Sequence, residues 1–330
     1  MCFRRISLLF LNIGWISLGL SAYIDEFINP ETNFISKTER YVWKKPTLNS
    51  PNDMLMYGGI NTKIEEYPFV VQIFQRIRKV FHGEKIWIWD FICTGTILSE
   101  SVIITAARCI NDAQQYGIIA GETFCDNSSQ SRTLDWSKNE NFREIDKKST
   151  RIHPLFGKDS DIEYNVSLLK LKVRLIYTDK IQNIKICHRD LEYWAKINKE
   201  EFVGEVVGWN WRKDQYCCPI SEQLMKIQQK ITPLEQCRKM FYEDSSGKDY
   251  LPTCTTFCGT EFKSQEYLCK SDSGAPFVFN NTLFGITTFF PHECDKDLNP
   301  LRTRYVLYAR LSNVNLLTWL KEELNKLDQE

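Results

Sequence analysis

The sequence predicts an all-β protein, a sandwich or a barrel, that ends in one helix. Short runs of β-branched and aromatic residues recur from about residue 56 onward, among them PFVVQIF, VIITAA, GEVVGW and YVLYARL. Turn-like or polar stretches separate the runs, which is typical of many short strands. Near the end, leucines spaced by three or four residues form one apolar stripe and predict a helix over residues 312–327 with Ser312 as its N-cap; they are Leu317, Leu320, Leu324 and Leu327.

The composition is that of an ordinary globular protein. The chain has 330 residues, and its 42 Lys and Arg balance 42 Asp and Glu. A neutral chain offers no electrostatic reason to bind nucleic acid, so we expect no nucleic-acid partner. The spacings of its 12 Cys do not suggest a zinc site, and we expect neither a metal nor a cofactor.

The first 22 residues predict a cleaved signal peptide. Arg4 and Arg5 precede an apolar run that ends in small residues. A membrane anchor is the alternative, but the run is short and is interrupted by Asn12 and Gly14. We therefore expect a secreted, extracellular protein that does not contact the membrane after signal cleavage. Residues 23–55 are polar, punctuated by Pro and free of Cys, so we interpret them as a propeptide or linker.

Six sequence motifs carry a resemblance to a known family. CKSDSGAPFVF (269–279), TAARC (105–109) and EYNVSLLKL (163–171) resemble the GDSGGP, TAAHC and NDIALLKL motifs of trypsin/chymotrypsin-like serine proteases. YGG, VVGWN and LYARLSNVNLLTWL match three further segments, and all six occur in family order. The resemblance covers residues 56–330. It implies two six-stranded antiparallel β-barrels and a C-terminal α-helix, with the catalytic site between the barrels.

The resemblance also shows that two of the three catalytic positions are changed. Ser273 stands at the nucleophile, but Arg108 replaces the His that acts as base and Asn165 replaces the Asp that orients it. An Arg cannot accept a proton near neutral pH because its pKa exceeds about 12. His153 stands in a His-Pro pair that the family often shows in a surface loop, so we do not expect it to replace the base.

Substrate recognition and activation also depart from the family. By resemblance, the oxyanion hole is formed by Ser271 and Ser273, the first of which replaces a Gly. The specificity-pocket positions hold bulky residues that should fill the pocket; they are Tyr267, Phe290 and Val306. Asp272, which in the family pairs with the new N-terminus, is present. No Lys or Arg lies between Lys45 and Lys63, so we expect no trypsin-like activation cleavage before Met56.

The resemblance implies three disulfide bonds, namely Cys93–Cys109, Cys237–Cys258 and Cys269–Cys294. A further bridge of the family is missing, since Gly204 and Phe279 stand at its two ends. The pairing of five other cysteines stays open; they are Cys125, Cys187, Cys217, Cys218 and Cys254. Sequons make Asn127 and Asn280 candidate glycosylation sites, whereas the sequon at Asn165 should stay bare because the fold places it in the interior.

Together these features predict a secreted, catalytically inactive serine protease homologue. It resembles the pseudoproteases of insects, which bind other extracellular proteins and regulate protease cascades, although the chain lacks the Cys residues of a clip domain. One alternative is a weak serine endopeptidase that uses Ser273 with an unconventional base; another is a structural or fluid protein. An insertion at Arg76–Asp90 is a candidate binding surface because it contains Trp87, Trp89 and four basic residues. Its tryptophans could instead pack in the barrel.

Overall fold

A computed structural model describes most of the region downstream of residue 58. The described residues are 59–81, 83–110, 115–125, 138–158, 160–188, 201–209, 223–244, 252–262, 268, 272–289 and 305–330. The predicted signal peptide (1–22) and the predicted propeptide or linker (23–55) lie outside them. In this part of the chain the strands are β1 (Ile60–Asn61), β2 (Val70–Phe81), β3 (Glu84–Ser99), β4 (Val102–Thr105), β5 (Gln115–Ala120), β6 (Phe142–Ile152), β7 (Ser167–Leu171), β8 (Val203–Gly208), β9 (Met225–Thr232), β10 (Thr256–Glu261), β11 (Pro276–Phe279), β12 (Thr282–Phe289) and β13 (Tyr305–Arg310). The helices are α1 (Leu234–Asp244) and α2 (Val314–Gln329).

The strands form two closed antiparallel barrels of six strands each. The first has the order β2-β3-β4-β7-β6-β5, and pairing of β5 with β2 closes it. The second has the order β9-β10-β13-β12-β11-β8, pairing of β8 with β9 closes it, and β1 is added at β9. Closure leaves no open sheet edge within a barrel. The predicted all-β fold of two six-stranded barrels with a C-terminal helix is therefore confirmed.

The two barrel cores differ in the side chains that fill them. Aliphatic residues dominate the first barrel, with Ile73, Ile103 and Leu169 among those that are fully buried. The second contains more aromatic residues, and there the Phe257 ring stacks on Tyr308 at 4.9 Å between ring centroids. Alternation of inward and outward residues along each strand supplies both cores.

Helix α2 packs across both barrels. Its buried leucines contact β4 and β7 of the first barrel and β11 and β12 of the second; they are Leu316, Leu320 and Leu327. The predicted helix is confirmed, but Asn313 caps it instead of Ser312. The Asn313 Oδ1 accepts hydrogen bonds from the backbone N–H groups of Asn315 and Leu316, at 3.1 and 3.5 Å. The N-cap of helix α2 therefore lies one residue later than predicted, since the Asn313 side chain provides it.

Two of the implied disulfide bonds are present in the structure. Cys93 in β3 is bonded to Cys109, and Cys237 in α1 is bonded to Cys258 in β10. The third implied pair, Cys269–Cys294, and also Cys217 and Cys218 lie outside the described residues. Where the family bridge is missing, Phe279 packs its ring on Phe202 and Phe284, at 5.5 and 6.1 Å between centroids. Aromatic packing therefore occupies the place of that bridge.

Candidate active site

Arg108 lies on a one-turn 3-10 helix, Ala107–Cys109, that follows β4. The disulfide bond from Cys109 to Cys93 fixes this turn against β3. The Arg108 side chain is exposed. Partial desolvation lowers the pKa of its guanidinium from the ordinary value, and the nearby Asp161 carboxylate opposes that change. The side chain stays a cation at physiological pH, so the position of the family's base holds a group that cannot accept a proton.

Asn165 is fully buried, and its side-chain amide both accepts and donates hydrogen bonds. Its Oδ1 accepts a hydrogen bond from the backbone N–H of Arg108 at 2.9 Å. Its Nδ2 donates to the backbone carbonyl oxygens of Thr288, at 3.2 Å, and Asp161, at 3.5 Å. The partners fix the orientation of the amide, because an N–H can only donate and a carbonyl can only accept. A carboxylate at this position would face the same two carbonyl oxygens and would have no hydrogen to donate to them.

Ser273 lies just before β11 and is only 4 % exposed. Its backbone carbonyl accepts a hydrogen bond from the Thr94 N–H at 3.0 Å, which joins the second barrel to the first. The next residue, Gly274, has φ of +81°, and a Cβ there would lie 2.2 Å from both the Thr105 Oγ1 and the Thr94 carbonyl oxygen. Only glycine fits this turn, so the backbone around Ser273 keeps a tightly constrained form.

The three triad positions meet where the two barrels join. The Cys109 Sγ, next to Arg108 in the chain, lies 3.9 Å from the Ser273 carbonyl oxygen. Asn165 bonds to the Arg108 backbone and reaches Thr288 in β12 of the second barrel. The structure thus brings together the residues that the motifs selected. No sequence signal identifies the carbonyls of Thr288 and Asp161 as partners of Asn165, since both bonds use backbone oxygens.

His153 is buried, which corrects the expectation of a surface loop. Its ring lies between Tyr164 and Trp319, at 4.6 and 4.8 Å between centroids, and it is 5 % exposed. The Nδ1 accepts a hydrogen bond from the Leu155 N–H at 3.2 Å. Burial lowers the pKa of His153 from 6.5 to about 4, because the imidazolium would lose its hydration. Stacking on Tyr164 and contact with Trp319 of α2 therefore keep a neutral imidazole in the core.

The remaining predicted site residues are only partly described. Val306 is 5 % exposed in β13, opposite Gly259 of β10, and packs in the core of the second barrel. Asp272 is fully buried, and together with burial its charge raises the pKa of Tyr308. Three predicted residues lie outside the described ranges: Tyr267, Ser271 and Phe290. The filling of the specificity pocket and the form of the oxyanion hole stay predictions.

The described residues include one of the two predicted glycosylation sites. Asn280 is exposed in the tight turn between β11 and β12, with φ of +49°, and stays a predicted glycosylation site, whereas Asn127 lies outside the described residues. No group of three or more His, Cys, Asp or Glu in the described ranges could hold a metal ion. The same ranges contain no helix that is long and apolar enough to cross a membrane.

Comparison with known proteins agrees with this geometry. The family model described as Trypsin matches residues 56–317. This chain belongs to the trypsin family. It is 27 % identical to hypodermin-A of Hypoderma lineatum over 244 residues, and this match covers 73 % of this chain and 79 % of that protein. It is 23 % identical over 243 residues to a trypsin of Sarcophaga bullata, with 72 % of this chain and 81 % of that protein covered. It is also 23 % identical to kallikrein 1-related peptidase b24 of Mus musculus over 277 residues, or 84 % and 92 % of the two chains.

Proposed function

We propose that this member of the trypsin family is secreted, has no peptidase activity and acts by binding other extracellular proteins, as the inactive homologues of insects do. The hydrogen bonding of Asn165 is the observation that carries the proposal. Catalysis in this family needs a carboxylate that accepts a hydrogen bond from an imidazole N–H and stabilises the positive charge that the ring acquires. Here the corresponding oxygen accepts from the Arg108 backbone, and the other side of the amide donates to two carbonyls.

Arg108 supports the same conclusion from the other side of the site. The serine hydroxyl is a weak nucleophile unless an adjacent base takes its proton. A guanidinium cannot take that proton. Within the described residues the only buried imidazole is that of His153, which is stacked on Tyr164 and contacts Trp319. Both the catalytic base and the carboxylate that orients it are therefore replaced, while the fold around them is kept.

The hydrogen bonds around the site also support the proposal, because they do not depend on catalysis. Asn165 joins the loop before β7 to β12, and the Ser273 carbonyl joins the second barrel to Thr94 in β3. These bonds hold the two barrels together irrespective of turnover. The residues of a former active site are then retained for packing, which is compatible with a role in binding partners or in regulating an extracellular protease cascade.

A peptidase assay on the purified mature protein tests the proposal. A panel of peptide esters and amides with basic, aromatic and small side chains at the cleavage position covers the substrates that a trypsin-like pocket could take. The expected hydrolysis equals that of the matched Ser273→Ala variant for every substrate. Hydrolysis that exceeds the variant's and is lost with Ser273 would favour the weak endopeptidase instead.

A further inference from the structure

Strands β2 and β3 extend beyond the first barrel as a two-stranded ribbon, here defined as residues 76–81 and 83–89. The last pairing of β2 with β5 is Arg76 with Gln115, whereas its pairing with β3 continues to Phe81 and Glu84. In the described residues the outer part of the ribbon has no further strand beside it. Gly83, with φ of +85°, closes its turn in open space.

The base of the ribbon is anchored in the first barrel. Trp89 is 9 % exposed and packs its ring edge-on against Phe142, with 5.0 Å between centroids. For Trp89 the alternative that the tryptophans pack in the barrel is thus correct, because Phe142 of β6 covers it. A two-stranded ribbon alone is only marginally stable in water, so this contact supports the segment that projects.

One face of the ribbon combines positive charge with exposed apolar surface. Paired residues share a face, and faces alternate along a strand. Arg78 is paired with Trp87 and Val80 with Lys85, so these four residues lie on the same face, together with Arg76. This set is called the basic face. Trp87 is 58 % exposed and Val80 is 62 % exposed, while Arg76, Arg78 and Lys85 are also exposed.

The two arginines of the basic face are arranged around the indole. The guanidinium carbons of Arg76 and Arg78 lie 5.4 and 6.0 Å from the centroid of the Trp87 ring. Arg76 also donates a hydrogen bond to the Gln115 Oε1 at 3.1 Å. Stacking restricts these long side chains before any partner arrives, which reduces the entropy lost on binding. A stacked guanidinium still carries in-plane N–H donors that suit a carboxylate.

The charge of the ribbon differs from that of the whole chain. The ribbon has four basic residues and one acidic residue, whereas the complete chain is neutral. No ion pair within the described residues joins Arg76, Arg78 or Lys85 to an acidic side chain. Positive charge without a local acidic partner attracts a partner with carboxylates.

We propose that the basic face binds an acidic segment of a partner protein, whose carboxylates pair with Arg76, Arg78 and Lys85 while an apolar side chain covers Trp87. The two exposed apolar side chains favour a polypeptide over a sulfated polysaccharide, since Trp and Arg are the usual anchors of protein interfaces. The inference rests on the proposed function, because it assigns the binding which that function needs to a defined surface.

Fluorescence anisotropy with a synthetic peptide tests the proposal. The probe has Glu residues on both sides of a Leu-Phe pair, and a second probe carries Gln in place of each Glu. The mature protein is expected to bind the Glu probe, to lose affinity with rising salt, and to prefer it to the Gln probe. In the Arg78→Glu, Trp87→Ala double variant, affinity should fall roughly tenfold or more.

A matched variant and two further measurements keep the test decisive. Arg174→Glu with Ile176→Ala changes an exposed cation and an exposed apolar residue elsewhere, and should bind as the parent does. If the ribbon variant unfolds by circular dichroism, Arg78→Gln replaces it, and a weaker loss is expected. Equal binding of both probes, binding of heparin but not of the Glu probe, or a Trp87-dependent dimer in analytical ultracentrifugation would overturn the proposal. Peptidase activity would refute the proposed function without changing these binding results.

Discussion

Replacement of Asn165 by Asp should destabilise the protein, although Asp is the residue that active relatives carry at this position. The buried amide donates to the carbonyl oxygens of Thr288 and Asp161 at 3.2 and 3.5 Å, and a carboxylate has no hydrogen to donate. Only the bond from the Arg108 N–H to Oδ1, at 2.9 Å, would survive. The change therefore removes two hydrogen bonds and adds a buried negative charge that faces two acceptors.

The expected cost is about 3 kcal/mol in the free energy of unfolding at pH 7, since each lost hydrogen bond contributes about 1 kcal/mol and an uncompensated buried charge adds more. The exposed Arg108 guanidinium offsets only part of this, because solvent screens it. Burial should raise the pKa of the introduced carboxyl, so its protonated form would be favoured in the folded state. The difference from the parent should thus shrink as pH falls toward about 4, where the carboxyl is protonated in the folded state and about half protonated in the unfolded state.

Urea unfolding followed by circular dichroism between pH 4 and 8 measures this effect. Asn183→Asp is a matched control, since the exposed Asn183 amide donates one hydrogen bond to the Leu98 carbonyl at 3.3 Å. Its cost should stay below about 1 kcal/mol, because water replaces the lost partner. If Asn165→Asp were as stable as the parent at pH 7, a carboxylate would fit the site and the reasoning from the amide would be refuted.

Three further predictions follow from the site and its surroundings. Arg108→His combined with Asn165→Asp should not restore ester hydrolysis, because the specificity pocket is predicted to be filled and the activation cleavage is predicted to be absent; measurable turnover would show that recognition survives. The free energy of unfolding should fall by up to roughly 3 kcal/mol as pH falls from 6.5 to about 4. The pKa of His153 is about 4 in the folded state, so only the unfolded state binds the proton in that range. His153→Gln should remove this contribution. Cys93→Ala should cost about 3 kcal/mol in urea unfolding, as the bridge to Cys109 spans a sequence separation of 16 residues, and an unchanged midpoint would contradict this.

The motifs predicted the fold well because they mark positions that a barrel must keep. The order of the six motifs led to two closed barrels, and the leucine spacing led to α2. The cap at Asn313 was missed because Ser312 and Asn313 are both good N-caps, and only the path of the chain decides between them. Likewise His153 looked like a surface residue, since one of the two rings that cover it, Trp319, comes from a distant part of the chain.

The candidate site was predictable in its residues but not in its bonding. Arg108, Asn165 and Ser273 were selected from their motifs, and the structure brings them together. The carbonyls of Thr288 and Asp161 could not be predicted, because backbone acceptors leave no trace in the residue type. The same limit applies to the ribbon, where alternation placed Trp87 and Trp89 on one face, yet only the packing of Phe142 shows which of them is buried.

Labelling of the mature protein with a fluorophosphonate probe tests the central claim most directly, since this reagent reacts with a serine only when a base activates its hydroxyl. Labelling is measured by intact mass and by peptide mapping of Ser273 between pH 6 and 9, beside an active trypsin and the Ser273→Ala variant. The account predicts no adduct on Ser273 above that of the variant. Stoichiometric modification that disappears in Ser273→Ala would contradict it, because it would show that the site activates its serine despite Arg108 and Asn165.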